Sequence, residues 1–125
     1  MIVLPVELYS SKNGQQIIYS KSKQRLMVIK KAVARQQEYT LHTLLMANKR
    51  EWVKMVDGKK FPLKVGFYVY RKTRRRFDWC NIVQGLQDAM VKEGYLPDDN
   101  ASYLTPVFLG WEVDSANPRC EICVL

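Results

Sequence analysis

The amino-acid sequence predicts an α+β domain, a mixed β-sheet with two main helices packed largely on one face. Three observations carry that prediction. Apolar residues recur at helical spacing over residues 32–56 and 81–93. The stretches around them alternate and are rich in β-branched and aromatic residues. Turn-forming clusters, Asp57-Gly58 and Pro97-Asp98-Asp99-Asn100, separate the two kinds of segment.

Taken in order, residues 2–9 hold enough β-formers for a first strand, closed by the Ser10-Ser11-Lys12-Asn13-Gly14 turn cluster. Residues 16–20 and 25–29 are short apolar runs around Lys21-Ser22-Lys23, an irregular or hairpin-like region. Over residues 32–56 the residues Leu41, Leu44, Leu45, Trp52, Met55 and Val56 share one broad helical face, and Gly58 supplies a left-handed stop. Residues 62–70, PLKVGFYVY, read as a central strand. The second helix, residues 81–93, buries Ile82, Leu86, Ala89 and Met90, with Gly94 as terminator. Residues 104–113 and 119–124 then read as two closing strands.

At 125 residues the chain is expected to form one domain, residues 1–125. A hydrophobic content of 47% with 11% aromatic residues points to a globular chain and away from disorder. Lys and Arg number 20 against 12 acids, a net charge of +8, and the simplest use for that imbalance is a polyanionic partner. Nucleic acid suits it better than a membrane surface, because the cations do not line one long amphipathic helix. A basic surface that only keeps the protein in solution is the bland alternative.

The opening MIVLPVELYSS has Pro5 and Glu7 inside its apolar run and no positive leader, so it does not read as a signal peptide. No segment approaches the ~18 apolar residues of a membrane span. The expectation is a cytoplasmic chain with no membrane partner. Cys80, Cys120 and Cys123 are an odd number for a disulfide framework. Cys120 and Cys123 resemble half a zinc knuckle but lie three apart in an alternating run, hence on opposite strand faces. The lone His42, in a helical pattern, reads as a surface or boundary residue and not as a zinc ligand.

The candidate site lies in residues 71–100, RKTRRRFDWCNIVQGLQDAMVKEGYLPDDN. Arg71, Lys72, Arg74, Arg75 and Arg76 precede Asp78, and the second helix separates Asp78 from Asp98 and Asp99. Cations beside carboxylates are what a phosphodiester-cleaving metal site needs: the cations hold the polyanion, the carboxylates a divalent ion. Each feature has a plainer reading. Asp78 suits a helix N-cap, Asp98-Asp99-Asn100 suits a turn, and the arginines suit a solvated strand end. Asp88, inside the helix, reads as a solvated or interface residue, and Trp79 and Trp111 read as core or interface.

The segment 74–100 resembles the RusA-type Holliday junction resolvases. It carries Arg74-Arg75-Arg76-Phe77-Asp78-Trp79-Cys80-Asn81, then Gln87-Asp88-Ala89-Met90, Gly94 and Asp98-Asp99, matching that family's order and spacing over about a quarter of the chain. The resemblance implies a RusA-like homodimer that binds branched DNA and cleaves it with Mg²⁺, Mn²⁺ being a substitute, and with no small-molecule cofactor. It makes Asp78 and Asp99 metal ligands and, with Asp98, the catalytic carboxylates. Asn81 matches the motif asparagine, and Lys72, Arg74, Arg75 and Arg76 are the expected DNA contacts.

Two positions depart from that pattern. Cys80 stands where the family has a second aspartate, and Gln84 where it has a lysine. A soft thiol is a poor ligand for a hard cation, and glutamine brings no positive charge to the reacting phosphate. A junction- or duplex-binding protein on the same fold, with catalysis weakened or lost, is therefore the alternative; an interaction protein with no nucleic-acid role is a third. The helix over 81–93 spans ~20 Å, so the carboxylates at its two ends are separated within one chain. Antiparallel pairing of two copies would bring Asp78 of one near Asp98 and Asp99 of the other, the alternative being a site formed within one chain.

Overall fold

The structure, a computed structural model, describes residues 1–10, 15–30 and 32–125, with the side chains of 15–18 and 27–30 left aside. Its elements are β1 (Ile2–Leu4), β2 (Gln15–Ser20), β3 (Arg25–Lys30), α1 (Ala32–Ala47) and α2 (Lys49–Val56). They continue with β4 (Leu63–Arg71), α3 (Trp79–Lys92), β5 (Leu104–Val113) and β6 (Arg119–Val124). The main sheet has the order β1-β6-β4-β5, with β4 and β5 parallel and the other pairs antiparallel. It is a mixed sheet in an α+β fold. The strands β2 and β3 form a separate antiparallel hairpin, so the region 16–29 is hairpin and not irregular. Most of the turn expected over 10–14 lies outside the described residues.

Alternation along β4 sets the layers. Leu63, Val65, Phe67 and Val69 are buried on the helix side, packed with Ile2, Leu4, Cys120 and Ile122 of the flanking strands. Leu41 and Leu45 of α1, Trp52 of α2 and Ile82, Leu86 and Met90 of α3 close that core. The other face carries Tyr68 and Tyr70, whose hydroxyls donate to Glu112 and Glu121 at 3.2 Å each. Cys120 is fully buried in the core, and Cys123 lies on the open face against Gly66, as the strand period requires.

Two elements differ from expectation. The strand over 2–9 stops at Leu4, because Pro5 has no N–H to offer a ladder and Val6 N turns back to Leu4 O at 2.8 Å. The helix over 32–56 is two helices. Asn48 breaks it: its side-chain amide donates back to Leu44 O at 2.8 Å, competing with the helical ladder, and its ψ is 6°. Among the described residues there are therefore three helices where two main ones were expected.

The crossover from β4 to β5 positions the candidate site. Asp78 N-caps α3, accepting from Cys80 N at 3.0 Å. At the far end Tyr95 N reaches Met90 O and Gly94, at φ 76°, takes the left-handed position of a Schellman stop. Because β5 runs parallel to β4, with Leu63 beside Leu104 and Arg71 beside Val113, the two ends of α3 lie over opposite ends of the sheet.

Candidate nucleic-acid interface

The chain leaves β4 at Arg71, bends at residues 72 and 73, continues without regular structure to residue 77 and enters α3 through its N-cap Asp78. This segment, residues 7–10 and the start of α1 surround an open pocket of about 1250 Å³. That exceeds the ~300–1,000 Å³ of ordinary small-ligand clefts. Its rim carries Lys72, Arg74, Arg75 and Arg76, all exposed. Among the described residues none of these four side chains makes a hydrogen bond or ion pair, so their charge is available to a ligand. The pocket's carboxylates are Glu7, which accepts from Lys72 N at 2.6 Å, and Asp78.

Arg71 differs from the cations after it. It continues the inward phase of β4 (Leu63, Val65, Phe67, Val69, Arg71) and is only 7% exposed. One guanidinium nitrogen donates to Leu8 O, and the group lies 4.7 Å over the Phe77 ring. Its Nε has no hydrogen-bond partner, and among the described residues no carboxylate is within ion-pairing distance. Counting the basic run as one patch misses this residue; the period-two phase of the strand is the signal that finds it. Gln37 of α1 was also missed. It is buried and braces the pocket wall, accepting from Tyr9 N at 2.7 Å and donating to Tyr9 O at 3.3 Å.

Aromatic rings line the side of the pocket towards β5. Trp79 stacks on Phe108 with centroids 4.5 Å apart and 9° between planes, and packs against Phe67 at 5.6 Å. Phe77 meets Trp111 edge to face at 5.0 Å. Asn81, half-buried on the first turn of α3, completes this wall.

The remaining expected residues lie elsewhere. Cys80 and Gln84 do not line the pocket. With Asp88 they form an exposed i, i+4 stripe along α3, where Gln84 Nε2 donates to Asp88 Oδ1 at 3.0 Å. Asp98 and Asp99 sit in the turn before β5, at the opposite end of the sheet from Asp78. Asp98 accepts from Asp99 N at 2.8 Å and from Asn100 Nδ2 at 3.1 Å, which is turn chemistry. The 14 residues of α3 place about 21 Å between its two ends. One chain therefore brings Asp78, Asn81 and the cations together and leaves Asp98 and Asp99 apart from them.

Mg²⁺ takes about six oxygen ligands in near-octahedral geometry. Among the described residues no three His, Cys, Asp or Glu side chains group closely enough to hold a metal ion. The acidic residues of a single chain do not fit the ion that the motif implies. His42, the other conventional ligand type, is committed to a bond between its Nδ1 and Glu93 Oε1 at 2.5 Å, tying α1 to the end of α3.

No protein-family model matches the chain, and a search of curated proteins finds no match either. Among the described residues no helix is long and apolar enough to cross a membrane.

Proposed function

We propose that the chain is a RusA-like endodeoxyribonuclease acting on branched DNA, in which two copies related by a two-fold axis complete each catalytic site. The observation that carries this reading is the convergence of Asp78 and Asn81 with Lys72, Arg74, Arg75 and Arg76 at one pocket, with the four cations unspent inside the chain. Exposed cations with no carboxylate partner among the described residues are suited to phosphate oxygens, and four of them close together repel one another where no anion lies between them. The ordered motif from Arg74 to Asp99 supplies the second line of support.

The separation of the carboxylates within one chain is what favours the two-copy form. A helix laid antiparallel on its symmetry mate places the N-terminal end of one beside the C-terminal end of the other, and the symmetry makes that contact twice. The exposed stripe of Cys80, Gln84 and Asp88 is the face of α3 left open for such a contact. Asp78 of one copy would then meet Asp98 and Asp99 of the other, and the donor set that one chain lacks would be filled with Mg²⁺ or Mn²⁺. Two equivalent sites suit the cutting of two symmetry-related strands.

A second reading has its own observations. Cys80 and Gln84 remove a carboxylate and a cation from the motif, and Asp78 already serves as a helix cap. On that reading the protein binds junctions or duplex without cutting them. Purified protein incubated with a labelled four-way junction, with and without Mg²⁺ or Mn²⁺, separates the two. Metal-dependent nicking that disappears in Asp78→Asn supports the nuclease. A shifted but intact junction under every metal condition supports the binder, and no shift at low salt removes both.

A further inference from the structure

Phe108 and Trp111 hold an unusual position. In the β4–β5 register they stand beside Phe67 and Val69, both fully buried, and so face the helix layer. Yet each remains 38% exposed: Trp79, at the start of α3, stacks on Phe108 and Phe77 meets Trp111 edge to face, but neither contact seals the ring it touches. In a core these two rings would be sealed; here they form a wall of the pocket. Below the rim lies Arg71, a buried guanidinium with an unpartnered Nε and no ion pair among the described residues. A buried cation of this kind carries a desolvation cost that an entering anion relieves. The pocket thus offers partly open apolar rings and, beside them, a guanidinium held by Leu8 O and the Phe77 ring with no ion pair among the described residues.

We propose that this pocket takes a single unpaired nucleotide of the DNA, its phosphate against Arg71 and its base against Trp111 and Phe108. The proposal rests on the DNA-binding part of the function above and adds the substrate feature that is selected. A base inside a duplex hides its faces in the stack. A nucleotide at a branch point, nick or strand end can leave it at a cost of a few kcal/mol. Rings that receive the base face and cations that track the backbone are the two components of single-strand recognition. The rim arginines contribute equally to any duplex, so the discrimination for branched DNA resides in Trp111 and Phe108.

The test uses the full chain and three probes: a four-way junction carrying 5-iodouracil at the branch point, the same junction carrying it within an arm, and a blunt linear duplex. Irradiation is expected to cross-link the branch-point base to Trp111 or Phe108, located by mass spectrometry, with little product from the arm. Trp111→Leu is expected to weaken junction binding about tenfold, the worth of one stacked base, and to leave blunt-duplex binding within about twofold. Trp111→Phe, which keeps a ring, restores most of the loss and separates stacking from a folding defect. If the junction shifts but the branch-point base cross-links elsewhere or not at all, the pocket proposal is wrong and the DNA-binding reading stands. If junction and duplex affinities fall together in Trp111→Leu, the pocket proposal is again wrong. If no probe shifts at low salt, the underlying DNA reading has failed and the pocket with it.

Discussion

The two ends of α3 are built to opposite standards. At the C-terminal end the polar groups of the Trp52–Tyr95 corner are matched, although Gln87 Oε1, further back on α3, is buried without a hydrogen-bond partner among the described residues. Trp52 Nε1 donates to Tyr95 O at 3.0 Å, Tyr95 donates to Leu45 O, Lys49 Nζ donates to Glu93 O at 2.6 Å, and His42 bonds Glu93. The Trp52 and Tyr95 rings stack at 5.0 Å over a corner sealed from solvent. At the N-terminal end four exposed cations have no partner among the described residues, a buried arginine keeps an unsatisfied nitrogen, and two rings stand half-open. Water satisfies the exposed cations at little cost, so the group that a ligand would serve at this end is the buried Arg71 nitrogen. The contrast separates the end that holds the fold together from the end at which the DNA contact is proposed.

The largest effect expected from that contrast is on stability. Trp52→Ala removes a fully buried ring and its bond to Tyr95 O, and should cost about 3–5 kcal/mol in denaturant unfolding. At temperatures where the variant remains folded, its affinity for DNA should be unchanged. Substituting Arg74, Arg75 and Arg76 together by Gln should do the reverse. The slope of log affinity against log salt should flatten by about 2.7 if all three contact phosphates, with unfolding unaltered to within about 0.5 kcal/mol. A flat response would place the arginines outside the interface.

A smaller effect separates the two roles of Asp78. Asp78→Ala should lower stability by about 1 kcal/mol through loss of the cap to Cys80 N, while Asp78→Asn retains a cap and should lose little. Both should abolish cleavage. Equal stability for the two variants would mean the cap is not sensed.

A last effect is alkaline and lies outside the neutral range. Burial, helped by the nearby Glu93, raises the Tyr95 hydroxyl from 10.0 to about 12. A group whose folded pKa exceeds its unfolded value favours the protonated native state. Its contribution is therefore whole below pH 10 and is lost as pH rises from 10 towards 12, by at most about 1.4 kcal/mol per pH unit. Denaturant unfolding measured across that window should show the loss, and Tyr95→Phe should make it shallower. A variant with the same slope as the parent would assign the titration to other tyrosines.

Much of this division could be read in the chain. Residues 104–113 and 119–124 coincide with β5 and β6 to the residue: β6 buries alternate positions, Cys120 and Ile122, whereas β5, an edge strand with a bulge opposite Phe67 and Tyr68, is marked by its β-forming residues. The stripe of Ile82, Leu86 and Met90 likewise identifies α3. Local competition explains the failures. Asn48 sits inside an apolar period that continues on both sides, and only its bond to Leu44 O reveals the break. Pro5 shortens β1 although the β-formers run on. At the site, the basic run and Asp78 were visible, but the burial of Arg71 follows from strand phase and not from charge. The opening beside Phe108 and Trp111 depends on where α3 ends over β5, which no local pattern encodes. That Asp98 and Asp99 lie at the other end of the sheet follows from the parallel pairing of β4 and β5, a non-local fact.

The shared site is tested most directly by mixing two inactive proteins, Asp78→Asn and Asp99→Asn, and allowing their subunits to exchange. If each site draws Asp78 from one copy and Asp99 from the other, the mixed dimer holds one doubly altered site and one intact site. Metal-dependent nicking of a four-way junction should return to about half of the parent rate per mixed dimer. Nicking by a monomer of the parent protein at the parent rate, or a mixture as inactive as its components despite confirmed exchange, would contradict the shared site.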